Sequence, residues 1–348
     1  MIESVFAPDW RHGVQYQGLL AEALPPHGVR VSFLADYRRI LPLRRLMASR
    51  RCDILHLHWP EAYYPAKGDV WDWFRRFRFP FDLASAVRHH ALAVTAHNLH
   101  AHNRGHESFV SRNSRAAFRM ARVVFAHSEI ARQRLVAAFG LSPEKIRVIP
   151  HGDLSVTLGT PVPAAEARAV LGLNERRVAL VFGAVEPYKG QEEIIAWWKQ
   201  AKPDATLAIV GKPHTDDYRA HIARLTESVP NIVTHFNWLD DAQLKLWLCA
   251  ADAAIFNYRQ IFTSGAANLA RSWGLPMLLP SRLDTVELDE PSPFVHRFDQ
   301  LASDFGTKLE DAFHVAPNFA AAAQWRAGCT WDTVARLTAD GYRMALAN

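Results

Sequence analysis

Short apolar runs alternate with longer stretches of helical spacing along this chain, and the alternation runs through both halves. Strand-like runs separated by helices of ten or more residues build βαβ units, which set the strands parallel with helices on both faces of the sheet. In the first half the strand candidates are residues 2–7, 29–35, 53–59, 91–96, 123–128 and 146–149, with helical spacing at 14–24, 37–51 and 130–139. In the second half the strand candidates are 178–182, 206–210, 232–236, 253–256 and 277–279. Helical spacing there falls at 192–200, 218–227, 242–250 and 266–273, and a last amphipathic pattern covers 331–347. The Pro- and Ala-rich link Thr160-Pro-Val-Pro-Ala-Ala165 reads as a domain boundary. A length of 348 residues is more than one core usually organises. The expected fold is α/β, with two doubly wound domains that share an architecture and not a sequence repeat.

Composition narrows the function classes. Hydrophobic residues make up 49% and charged residues 22%, an ordinary balance for a soluble globular chain. A net charge of +5 permits an anionic partner without demanding one. Cys52, Cys249 and Cys329 are far apart and show neither metal spacing nor a disulfide framework, which fits a reducing compartment. The start, Met1-Ile-Glu-Ser-Val-Phe, lacks a basic region and a long apolar core, so no signal peptide is expected. No apolar run reaches the roughly 18 residues of a spanning helix. ATPase and dehydrogenase readings lack their motifs, since there is no Walker A sequence and no Gly-x-Gly-x-x-Gly after the first strand.

In open α/β sheets, ligands sit beyond the carboxyl ends of the strands. Three such ends in the second half favour an anion. Residues 181–190 carry Gly183, Lys189 and Gly190 between a strand and a helix, where backbone N–H groups, the helix dipole and an ammonium can converge. Gly211 and Lys212 follow the next strand. Tyr258, Thr263, Ser264 and Gly265 lead into a helix whose small residues let a diphosphate approach the amides. Each loop also has a plain reading, as turn geometry or as a Ser/Thr helix cap. In the first half, His56-Leu-His58-Trp59-Pro60-Glu61 and Thr95-Ala-His97-Asn98 end neighbouring strands on one sheet edge. Glu61 suits a general base for a sugar hydroxyl, and His97 suits hydrogen bonding to a sugar or phosphate, or base work. Both could instead cap the following helix. His100, His102 and His106 resemble a metal cluster by count. They lack the His-x-x-x-His helix with a carboxylate partner, so no metal is expected.

Between Trp71 and Phe81 the chain interleaves Phe and Trp with Arg75, Arg76 and Arg78. Such a segment can lie at a membrane surface, with aromatics at headgroup level and arginines on anionic lipid. It can equally be a helix that packs its aromatics inward. Arg38-Arg39, Arg44-Arg45 and Arg50-Arg51 could widen the same cationic face.

These residues resemble the GT-B nucleotide-sugar glycosyltransferases over most of the chain. Asp53-Ile-Leu-His-Leu-His58, Val94-Thr-Ala-His-Asn98, Ala126-His-Ser-Glu129, Val148-Ile-Pro-His-Gly152 and Phe182-Gly with Tyr188-Lys-Gly190 occur in that family's order. Ala208-Ile-Val-Gly211, Ala251-Asp-Ala-Ala254 and Gly274-Leu-Pro276 complete the set. The family 4 pattern carries two glutamates eight positions apart, where this chain has Ile261 and Leu269, and an arginine where it has Ala184. The inverting β-mannosyltransferases of family 94, from xanthan-type exopolysaccharide assembly, are more similar. Their pattern is matched at His56 to Glu61, His97 to Leu99, Pro187 to Gly190 and Ser264-Gly265, and departs at Glu186, where an arginine is usual.

The resemblance implies two Rossmann-like domains facing a central cleft. Residues 1–160 would bind the acceptor, with a terminal helix at about 331–348 crossing back, and 166–330 would bind the donor. It implies a peripheral enzyme at the cytoplasmic face of the inner membrane, held on anionic lipid through residues 71–81, with no nucleic-acid partner. This enzyme would move mannose from GDP-mannose to a lipid-diphosphate-linked oligosaccharide in exopolysaccharide synthesis. It would do so with inversion and with no metal or cofactor beyond the donor. Lys189 and the Ser264–Gly265 helix start would hold the leaving diphosphate, Glu61 would be the base, and His97 would position a substrate. Two alternatives stay open: a retaining α-glycosyltransferase with an atypical site, and a non-catalytic sugar-nucleotide-binding subunit.

Overall fold

The computed structural model describes residues 1–12, 15–34, 40–49, 52–63, 70–99, 107–173, 176–283 and 292–347. The chain divides into two compact units, one made of residues 1–152 and 328–348, the other of 153–327.

The first unit is a six-stranded sheet in the order β2-β1-β3-β4-β5-β6. Its strands are β1 (Ile2–Ala7), β2 (Val29–Phe33), β3 (Ile54–Leu57), β4 (Ala91–Thr95), β5 (Val123–Ala126) and β6 (Ile146–Val148), and every pairing is parallel. The central strands β3, β4 and β5 are buried at every position, whereas edge strand β2 alternates between buried and accessible. A parallel strand covered on both faces needs a continuous apolar run, which Leu92-Ala-Val94 and Val123-Val-Phe-Ala126 supply. The connecting helices are α1 (Gln15–Ala23), α2 (Pro42–Ser49), α3 (Val70–Ala86), α4 (Glu107–Met120) and α5 (Glu129–Phe139). Ser128 caps α5 by accepting from the Ala131 amide at 3.1 Å, and Gly140 closes it in the left-handed region.

The second unit repeats the plan in the order β12-β11-β10-β7-β8-β9, again all parallel. It contains α6 (Ala164–Val170), β7 (Arg177–Phe182), α7 (Gln191–Ala201), β8 (Ala205–Val210), α8 (Asp216–Thr226), β9 (Ile232–His235) and α9 (Asp241–Ala250). It continues with β10 (Ala253–Ile255), α10 (Gly265–Trp273), β11 (Met277–Pro280), β12 (Val295–Phe298), α11 (Phe305–Phe313) and α12 (Ala323–Gly328). The last helix, α13 (Trp331–Ala347), belongs to the first unit and packs on β4, β5 and α1. Gly341 allows this approach, because a β-carbon there would press on the Phe125 ring.

The division falls at Gly152, ahead of the Pro- and Ala-rich link, so residues 160–165 lie inside the second unit. Leu158 and Val162 pack into that unit's core, which draws the link in as a structural segment. The aromatic stretch starting at Trp71 is part of α3, with Pro80 inside the helix.

Two glycines bring β7 and β8 together where they end. Gly211 has φ +138°, and a β-carbon on it would overlap the Gly183 carbonyl. Gly211→Ala is therefore expected to destabilise the second unit by at least about 2 kcal/mol, through strained φ and steric overlap. Denaturant unfolding should show a lowered midpoint for that unit; an unchanged midpoint would show that the two loops can separate freely.

Candidate functional site

Three loops meet at the carboxyl edge of the second unit's sheet. Lys189 lies in the turn after β7, and its side chain is buried at 8% exposure. A β-carbon on Gly183, at φ +93°, would stand 3.1 Å from Lys189 Nζ and 3.8 Å from Ala266 Cβ. The ammonium and the first turn of α10 thus both abut Gly183. Lys189 Nζ also lies 5.6 Å from the centre of the Tyr258 ring. The Tyr258 hydroxyl is 3.2 Å from Ser264 Oγ, and that oxygen caps α10 by accepting from the Ala267 amide at 3.1 Å. No hydrogen bond or ion pair from a described residue reaches Lys189 Nζ. Burial pulls its pKa down to about 8, opposed by the nearby Glu186 carboxylate. At neutral pH the group is mostly charged, held beside a helix N-terminus without a contacting counter-ion. A buried cation of that kind is costly unless an anion joins it.

The other expected residues of this edge divide by role. Gly190 and Gly211 serve close backbone packing. A β-carbon on Gly190 would overlap the Asn257 carbonyl, and Asn257 Nδ2 donates to the Gly190 carbonyl at 3.1 Å. The Arg259 amide donates to Tyr188 O at 2.7 Å, so the lysine turn is tied to the loop after β10. Lys212 is exposed, and its carbonyl accepts from the Val185 amide at 2.9 Å. Thr263, Ser264 and Gly265 are half-buried at the start of α10. Ile261 and Leu269 pack against the apolar core. Ala184 is exposed, and Glu186 is half-buried beside the lysine turn.

The first unit has a different edge. His58, His97, His127 and His151 follow β3, β4, β5 and β6 in turn, and His56 lies on β3 below them. His56 Nδ1 is 2.6 Å from the Tyr342 hydroxyl and its Nε2 is 2.8 Å from Thr95 Oγ1. His58 Nδ1 and His97 Nε2 are 3.4 Å apart. Trp59 stacks on His97 with ring centres 4.2 Å apart, and Trp10 stacks on Trp59. Tyr16 of α1 presents edge contacts to His58, His97, His127 and His151, and to Trp331 of α13. His127 donates from Nδ1 to the Ile149 carbonyl at 3.3 Å, which leaves Nε2 as an acceptor with no hydrogen-bond partner among the described residues. His58 Nε2 and His151 Nδ1 likewise have none.

Desolvation keeps these imidazoles neutral. It holds His56, His58 and His97 well below the usual range and takes His127 down to about 3 and His151 to about 4. Among the described residues, no group of three or more His, Cys, Asp or Glu side chains is placed to hold a metal ion. The candidate cluster His100, His102 and His106 lies outside the described residues.

Glu61 lies in the tight helical turn Pro60–Tyr63 after β3. Its Oε1 accepts from Asn98 Nδ2 at 2.7 Å. Burial pushes the carboxyl pKa up, and the Asn98 hydrogen bond partly offsets this. The structure therefore brings Glu61 and His97 to the same sheet edge. Tyr16, Asn98, His127, His151 and, in the second unit, Asn257 were not singled out as site residues from sequence. For the two histidines the signal was present, since His127 directly follows β5 and His151 lies three residues beyond β6.

Helix α3 splits its aromatics. Phe79 is buried, whereas Phe74, Phe77 and Phe81 are 43%, 51% and 67% exposed at helical spacing that puts them on one side. Arg78 is buried, and Arg44 and Arg45 of the neighbouring α2 are exposed. Arg38, Arg39, Arg50 and Arg51, and the side chains of Trp71, Trp73, Arg75 and Arg76, lie outside those described. No described helix is long and apolar enough to cross a membrane.

Residues 4–153 match the family described as Glycosyltransferase Family 4. Two curated relatives, both GDP-mannose:glycolipid 4-beta-D-mannosyltransferases of Xanthomonas campestris pv. campestris, are similar at low identity. One is 25% identical over 265 residues, covering 70% of this chain and 65% of that protein. The other is 24% identical over 274 residues, covering 73% and 69%. Among solved structures, sucrose-phosphate synthase (tll1590) from Thermosynechococcus elongatus superposes with TM-score 0.75 at 14% identity, covering 99% of each chain. Anabaena Alr3699/HepE in complex with UDP and glucose gives 0.70 at 16%, covering 98% of this chain and 99% of that one. The two six-stranded parallel sheets with their helices are those of the GT-B glycosyltransferase fold. The family match and the relatives together support a glycosyltransferase.

Neutral histidines buried in the folded state bind protons more readily once unfolded, so stability falls as pH drops from about 6.5 toward the depressed values. For His127 alone this amounts to about 2 kcal/mol at pH 5. The melting temperature should fall by several degrees between pH 7.5 and pH 5; a pH-independent melt would mean the cluster is solvated or its histidines titrate normally.

Proposed function

We propose that this protein is an inverting glycosyltransferase that moves mannose from GDP-mannose to a lipid-diphosphate-linked oligosaccharide, in the manner of exopolysaccharide assembly. The observation that carries the reading is Lys189: a buried ammonium with no contacting counter-ion among the described residues, set against Gly183, which the first turn of α10 also approaches. A nucleoside diphosphate supplies the missing anion. Its phosphate oxygens can take the lysine charge and the free amides at the start of α10. That role needs no divalent cation, because the fixed positive groups take over the charge neutralisation. The Xanthomonas relatives, named for GDP-mannose and a glycolipid, support the choice of donor and acceptor.

In this reaction an acceptor hydroxyl oxygen forms a bond to the anomeric carbon of the donor as its proton passes to the Glu61 carboxylate. The bond from the anomeric carbon to the diphosphate breaks, and its electron pair leaves with the nucleoside diphosphate. Lys189 and the α10 amides stabilise the charge that develops there. A raised pKa makes Glu61 a stronger base than an exposed carboxylate. The first unit would bind the acceptor. Its neutral imidazoles can accept or donate hydrogen bonds to hydroxyls without adding charge.

Thermal-shift titration with GDP-, UDP- and dTDP-sugars tests the donor. GDP-mannose should stabilise the protein by mass action, and Lys189→Ala should weaken that binding about 10- to 100-fold while leaving the ligand-free melt unchanged or raised. Stabilisation by none of these donors would overturn the reading, and preference for a UDP- or dTDP-sugar would overturn the assignment of GDP-mannose.

The lipid-linked acceptor places the enzyme at a membrane surface, and the exposed Phe74, Phe77 and Phe81, with Arg44 and Arg45 nearby, suit an anionic interface. The triple variant Phe74→Ser, Phe77→Ser, Phe81→Ser should lose most sedimentation with phosphatidylglycerol vesicles and keep its melting temperature. Undiminished sedimentation would remove α3 from the account.

A further inference from the structure

Among the described residues, the carboxylate read above as the base is held by one partner side chain. Asn98 lies three residues beyond the end of β4, and Glu61 four residues beyond the end of β3. These two strands are hydrogen-bonded neighbours, with Leu57 beside Val94. The register brings the two loops together, and Asn98 Nδ2 donates to Glu61 Oε1 at 2.7 Å. Among the described residues Glu61 forms no ion pair and takes no other side-chain hydrogen bond, so none of their side chains engages Oε2.

We propose that Asn98 is a positioning residue for the transfer reaction: it pins Glu61 through Oε1 and so aims Oε2 at the acceptor hydroxyl. The proposal rests on Glu61 being the base. The chemistry of the donor is what makes the arrangement useful. An arginine or lysine at this place would hold the carboxylate equally well, but its charge would lower the pKa by one to three units and weaken the base. A neutral amide orients the carboxylate and moderates the effect of burial without neutralising it. The elements packed against the Glu61 turn are α3 and α4. Their described titratable groups are Arg78 and Asp82 on α3 and Arg112, Arg115 and Arg119 on α4, with His97 next to Asn98 in the chain. None of them pairs with Glu61. Asp82 is occupied by the backbone amides of Leu43 and Arg44, at 3.2 and 2.9 Å.

The test uses the full-length protein labelled with 13C at the glutamate carboxyl, with Glu61→Gln to assign the Glu61 signal. In Asn98→Ala the titration midpoint of Glu61 should move up by about one pH unit, because a hydrogen bond to the charged form is lost. In Asn98→Asp it should move further up, through a like charge at hydrogen-bond distance. The acid limb of the pH–rate profile for GDP release from GDP-mannose should move with it, and the thermal shift produced by GDP-mannose should stay as in the parent. A residue with only a loop-holding role would lower the melting temperature and the rate at every pH without moving the limb. A Glu61 midpoint in Asn98→Ala equal to the parent's overturns the proposal. Full transfer activity in Glu61→Gln would overturn the base assignment on which it rests, and that outcome is read independently of the titration.

Discussion

In a parallel sheet every strand ends on the same edge, and strands covered on both faces have nowhere else to put polar groups. Both units of this chain obey that constraint. The central strands β3, β4, β5, β7, β8 and β10 are apolar and buried except for His56, Thr95, Thr206 and the terminal Arg177. Polar chemistry resumes where each strand stops: His58, His97, His127 and His151 in one unit, and Gly183, Gly211 and Asn257 in the other. The edge therefore decides which side chains can meet, and the loops decide what those side chains present.

The two edges present opposite things. The first is a row of imidazoles held neutral by burial, stacked with Trp59, met edge-on by Tyr16 and flanked by a carboxylate. The second is a buried ammonium next to a helix N-terminus. A neutral, hydrogen-bonding surface matches a hydroxyl-bearing ligand, and a desolvated cation matches a phosphate. Under the proposed reaction, the first edge would meet the acceptor's sugar hydroxyls and the second the donor's diphosphate. Glu186 tempers the cation at a distance and lies where the family 94 resemblance places an arginine.

Much of this was legible in the sequence, for physical reasons. The central strands announce themselves because two-sided burial demands unbroken apolar runs. The lysine turn and the Ser264 helix start stand out in the sequence as strand-end loops, and the structure brings them together at Gly183. Three features were hidden. The compact units divide at Gly152 and not at the proline-rich link, since Leu158 is buried in the second unit's core and Val162 packs against it. The edge strand β12, Val295-His-Arg-Phe298, carries two polar residues in four and has no apolar run to show. Composition cannot say which aromatics of α3 face inward, since Phe79 is buried and Phe81 exposed two residues later. The histidines after β5 and β6 could have been chosen by the same strand-end rule that selected His97. Tyr16 could not, because its place beside them depends on how α1 and α13 pack.

The account turns on whether Lys189 is a buried cation reserved for an anion. Titration of Lys189 Nζ by NMR in selectively labelled protein, with and without GDP, measures this directly. The expected result is a pKa of about 8 in the free protein, rising by one unit or more when GDP binds, as the phosphates favour the charged form. A free-protein value in the ordinary lysine range, unmoved by GDP, would contradict the account.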